Sequence, residues 1–77
     1  MPHVIVKMLS GRSDKQKNQL VEEITKVVMR ITGNGEEAVS VSIEDVAQGD
    51  WTEKVYKPDI AAHWDNLYKK PGYDPFA

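Results

Sequence analysis

Two sets of positions alternate at the start of the chain. Val4, Val6 and Met8 interleave with His3, Ile5, Lys7 and Leu9, and the β-branched content agrees with a strand from Pro2 to Leu9. Both sets are partly apolar, which predicts cover on both faces, from a helix on one side and another subunit on the other. Ser10-Gly11 reads as a turn. The period then changes. Leu20, Ile24, Val27, Val28 and Ile31 recur at helical spacing with Val21 on the flank, while Lys15, Asn18, Glu22, Lys26 and Arg30 fall opposite. Ser13 followed three residues later by Gln16 is a capping-box pattern, Asp14 suits the positive end of the helix, and Gly33-Asn34-Gly35 stops it. These signals predict a helix over 14–32, about 28 Å long. Val39, Val41 and Ile43 alternating with Ser40, Ser42 and Glu44 predict a second, half-covered strand. Strand, helix, strand in this order implies a right-handed crossover with parallel strands.

Past Val46 the pattern weakens. Residues 47–51 read as a loop carrying one large aromatic, Trp51. Pro58 suits the first turn of a second helix, along which Ile60, Ala61, Trp64, Leu67 and Tyr68 follow at helical spacing until Pro71-Gly72 ends it. The last five residues are expected to be loosely held. No repeat or linker interrupts the chain, so the expectation is a single domain over 1–77. Its fold class is α/β (α+β): a β-α-β unit with a long helix on one face, a C-terminal second helix, and a sheet completed by oligomerisation.

Length and composition sharpen the last point. A 77-residue chain buries only a little over ~60% of the surface its unfolded form exposes. No cysteine is present to add a disulfide or thiolate metal site. Association between copies is the remaining route to stability. A net charge of −2 and a pI near 5.6 supply no basic field for nucleic acid or anionic lipid. No apolar run approaches the ~20 residues of a membrane span and no export signal is visible, so a cytoplasmic location is expected.

Several kinds of site chemistry lack their residues. There is no Cys-His pair, no glycine-rich phosphate loop and no His-x-x-x-His, and His3 and His63 lie on different predicted elements. No metal and no cofactor is expected. Glu44-Asp45 reads as a solvated strand edge rather than a catalytic dyad. Three residues remain: Pro2, Arg12 and Trp51. Removal of Met1 would leave Pro2 with a free secondary amine. An α-amino group starts near pKa 7.7–8.0, and both desolvation and a neighbouring guanidinium lower it toward working pH. An arginine binds a carboxylate as a fork and polarises a carbonyl beside it. Each residue also has an ordinary explanation, as a strand start, a solvated turn cation and a packing aromatic.

The run from Pro2 to Arg12, with Leu9-Ser10-Gly11-Arg12-Ser13-Asp14 and Gln16-Lys17 at its centre, resembles the 4-oxalocrotonate tautomerase family. The likeness continues without a gap to Ala47-Gln48-Gly49-Asp50-Trp51. The resemblance implies a cofactor-free keto–enol tautomerase in which Pro2 is the general base, Arg12 binds substrate carboxylate and Trp51 lines the pocket. One position departs from the family: hexameric, diacid-processing members carry a second arginine where this chain has Ser40. Residues 52–77 and the Lys69-Lys70-Pro71-Gly72-Tyr73 ending are similar to the longer, dimeric branch associated with aryl 2-keto acids such as phenylpyruvate. A homodimer is therefore expected over a hexamer, acting on a small 2-keto monoacid. The competing reading is a binding or assembly protein that keeps the fold without turnover.

Overall fold

The computed structural model describes residues 1–77, which divide into two compact units, Met1–Val46 and Ala47–Ala77. In the first, strand β1 (His3–Leu9) leads to helix α1 (Asp14–Thr32), a single 3-10 turn (Glu36–Ala38) and strand β2 (Ser40–Val46). The strands pair in parallel, from His3 opposite Ser40 to Leu9 opposite Val46. The predicted β-α-β unit is therefore present, with the second strand reaching two residues further than the alternation suggested.

The boundaries of α1 follow from its caps. Gln16 N–H donates to Ser13 Oγ at 3.1 Å while Ser13 N–H donates to Gln16 Oε1 at 3.0 Å, closing a reciprocal capping box. At the other end Gly33 takes φ +76° and its N–H donates to Met29 O at 2.9 Å. A side chain there would be strained, so glycine sets the end of the helix. Ser13→Ala is expected to lower stability by about 1 kcal/mol at fixed protein concentration, measurable as a shift in denaturant midpoint.

α1 packs chiefly on β2. Lys17, Leu20, Val21, Ile24, Thr25, Val28 and Met29 are its half-buried positions, and Lys17 pairs with Asp45 on β2. Val27 and Ile31, which the periodicity grouped with the inner face, are instead exposed. No residue of this unit is fully buried. On the outer face of the sheet Ile5 is 53% exposed and Leu9 43%. A two-stranded parallel sheet with one bare apolar face and two open edges is incomplete by itself.

The second unit carries the predicted C-terminal helix with other bounds and winding. Helical winding begins at Thr52, well before Pro58, and runs to Ile60 as a π-helix, followed by a 3-10 segment over Ala61–Asn66. Pro58 lies inside the helix rather than in its first turn. A proline ring collides with the carbonyl one α-turn back and offers no N–H, and the wider π turn relieves that collision. Val55 and Tyr56 are buried here. The tail is not loose: the rings of Tyr73 and Phe76 lie 5.6 and 5.7 Å from that of Tyr56. Phe76 N–H also donates to Asp74 Oδ1 at 2.8 Å. Burial, reinforced by the charge of Asp74, pushes the Tyr56 phenol pKa up. Five-residue periodicity windows cannot register such a clasp, because it depends on aromatics 17 and 20 positions away along the chain.

Candidate active site

Pro2 heads β1, and its carbonyl accepts the N–H of Ser40 at 3.2 Å, so the two strands are tied together at the residue of interest. The parallel register sets His3 directly against Ser40. On that shared face His3 Nδ1 and Ser40 Oγ stand 2.6 Å apart, a hydrogen bond. After Gly33 stops α1, the 3-10 turn carries Glu37 and Ala38 to the same end of the sheet, with Val39 N–H donating to Glu36 O at 3.1 Å. The result is a hollow of about 320 Å³ lined by Met1, Pro2, His3, Glu37, Ala38 and Ser40. Apart from the chain terminus it holds no lysine or arginine. Met1 is 97% exposed, so nothing in the fold retains it.

A larger hollow, about 430 Å³, runs along the flank of α1 between Val21, Thr25, Met29 and Glu36. It is more apolar and is lined by Glu22, Lys26 and Glu36, but it contains none of the residues that the sequence singles out. The smaller hollow at Pro2 is the better candidate, since convergent polar groups decide chemistry and volume alone does not. No three His, Asp or Glu side chains converge as a metal ion requires.

Arg12 lies elsewhere. It follows Gly11, whose φ of +120° is a conformation that only glycine adopts readily, at the opposite end of β1 from Pro2. Seven strand residues at ~3.3 Å each separate the two ends by about 23 Å. Within one chain Pro2 and Arg12 therefore do not meet, contrary to the expectation that the motif sets them side by side. Ser40 and Pro2 do meet. In the second unit Trp51 is half-buried and its indole Nε1–H donates to the Tyr73 hydroxyl at 2.8 Å.

His3 and Glu37 beside Pro2, and separately Tyr73 beside Trp51, are the neighbours that the sequence reading missed. His3 was legible in principle, because once Pro2 is paired with the residue before Ser40 the parallel register fixes its partner. Glu37 depends on the turn geometry after α1, and Tyr73 on a long-range contact.

The family model described as "Tautomerase enzyme" matches residues 2–54. The chain belongs to the tautomerase family. The match begins at Pro2, the residue that heads β1. Over all 77 residues the chain is 43% identical to a probable tautomerase of Xylella fastidiosa, covering 94% of that protein. It is 36% identical to tautomerase PptA of Cronobacter sakazakii over 96% of this chain and 99% of that one. Among solved structures, YwhB, a homologue of 4-oxalocrotonate tautomerase, superposes with a TM-score of 0.60 at 49% identity. That likeness covers 61% of this chain and 77% of the other. The protein is thus a tautomerase, an isomerase built on the β-α-β fold. No helix is long and apolar enough to cross a membrane.

Proposed function

We infer that residues 1–77 act as one tautomerase domain that interconverts the enol and keto forms of a small 2-keto monoacid, without a cofactor, using the amine of Pro2 after Met1 is removed. The observation that carries this reading is Pro2 at the mouth of a hollow shared with His3, Ser40 and Glu37. The proton balance is simple. The amine takes the proton of the enol hydroxyl, the C=C electrons shift, and the resulting ammonium returns the proton to C-3. Neither redox change nor a leaving group is involved.

Charge argues for a monoacid. The family's second arginine is replaced by Ser40, and the carboxylate of Glu37 lines the same hollow. A second substrate carboxylate would find no fixed cation there. Two like charges ~4 Å apart repel by about 1 kcal/mol even in a water-like medium, roughly a fivefold penalty. Trp51, held by Tyr73, is the residue proposed to take an aryl tail. The separation of Pro2 and Arg12 along β1 favours a site in which Arg12 of a second copy binds the substrate carboxylate. A symmetric homodimer joined through the bare face carrying Ile5 and Leu9 is the smallest assembly that supplies it.

The test is a comparison of kcat/KM for an aryl enolpyruvate and for an enol diacid of similar size. The aryl monoacid is expected to be preferred, and Ser40→Arg to narrow the gap by improving the diacid. A wild-type preference for the diacid would overturn the reading.

A further inference from the structure

The hydrogen bond between His3 and Ser40 joins two exposed side chains. Both would otherwise bond to water, so the exchange contributes little to stability. Its effect is orientation. Where the Ser40 hydroxyl donates to Nδ1, the neutral imidazole carries its hydrogen on Nε2, and no other group of the chain accepts that N–H. This donor belongs to the residue next to Pro2 and lines the same hollow. The remaining titratable groups there are the chain's terminal amine and Glu37, which approaches from the 3-10 turn. Glu37 accepts hydrogen bonds and gives none when ionised, so it cannot serve an anionic substrate. Ser40 offers one hydroxyl, already engaged by the ring. Among the side chains lining the hollow, the imidazole is the one neutral donor not already engaged.

We propose that His3, held by Ser40, is a second substrate-binding residue of the Pro2 site, donating Nε2–H to an oxygen of the 2-keto acid head group. Ser40 is then a positioning residue that fixes the tautomer and aim of the ring. The position vacated by an arginine is filled by a two-residue donor without permanent charge, which suits a monoacid. This assignment rests on the reading of the Pro2 hollow as the tautomerase site and extends it to the contact that recognises the substrate.

Benzoylformate separates recognition from turnover, because it has the aryl 2-keto acid head group but no C-3 hydrogen and cannot enolise. Its affinity for the assembled wild-type protein and variants is measured by calorimetry. His3→Ala is expected to weaken it about tenfold, the effect of one charge-assisted hydrogen bond. Ser40→Ala should weaken it several-fold, with Ser40→Thr close to wild type. Because Ser40 acts through His3, adding Ser40→Ala to His3→Ala should cost less than a further twofold. Steady-state kinetics on an aryl enolpyruvate then identify the oxygen. A raised KM at constant kcat assigns the carboxylate, and a lowered kcat assigns the C-2 oxygen where charge develops. Binding by His3→Ala within twofold of wild type overturns the proposal, as does a Ser40→Ala penalty that persists in full without His3. Absence of saturable binding to wild type removes both this assignment and the monoacid reading. Full turnover by a Pro2→Ala variant removes the base assignment alone, leaving the affinity result to stand.

Discussion

Pro2→Ala, prepared with Met1 removed, is expected to lose at least about a hundredfold in kcat, the low end of what a positioned general base contributes. The substitution leaves an amine at the same place, so the loss must come from what the ring does. Proline locks φ and makes the amine secondary, which holds the lone pair in one direction at the head of β1. Alanine's primary amine rotates freely and starts from a different basicity. A companion measurement separates chemistry from processing. The intact mass of the wild-type protein should correspond to a chain beginning at Pro2, and a preparation that keeps Met1 should be inactive, because its Pro2 nitrogen is an amide with no available lone pair. Turnover at the wild-type level from Pro2→Ala, or from a chain that retains Met1, would remove Pro2 from the mechanism.

The second large effect concerns assembly. Pro2 and Arg12 sit at opposite ends of a seven-residue strand, so a site that uses both draws them from two copies. Pro2→Ala and Arg12→Ala homodimers should each be nearly inactive on a carboxylate-bearing substrate. Unfolding them together and refolding the mixture should restore activity. Random pairing makes half the dimers mixed, and each mixed dimer holds one intact site, so the mixture should recover about a quarter of wild-type activity. If both residues came from the same chain, mixing would recover nothing. The assembly itself can be tested by Ile5→Glu, which puts a charge on the bare sheet face and should shift the sedimenting species to monomer. Since that face is 53% exposed at Ile5 in the single chain, the substitution does not disturb the chain's own interior.

Much of this protein was determined by its sequence alone. The capping box at Ser13 and Gln16 and the positive-φ stop at Gly33 are local devices, complete within a few residues, and they bound α1 where the pattern placed it. Alternation over Val4–Met8 and Val39–Ile43 gave the strands, because a side-chain period of two is a property of the extended backbone itself. Crossover geometry then made them parallel. Other features required the tertiary structure, each because it joins residues far apart along the chain. The register that sets His3 against Ser40 spans 37 positions, and no local pattern encodes that hydrogen bond. Which helical positions turn inward depended on how α1 rests on β2, so Val27 and Ile31 kept the right period yet stayed exposed. The tail looked loose because its anchors, Trp51 and Tyr56, precede it by many residues. The separation of Pro2 from Arg12 is arithmetic on the length of β1, but only the observed extended strand between them holds the two apart within one chain: a motif records order along the chain, whereas a site depends on distance in space.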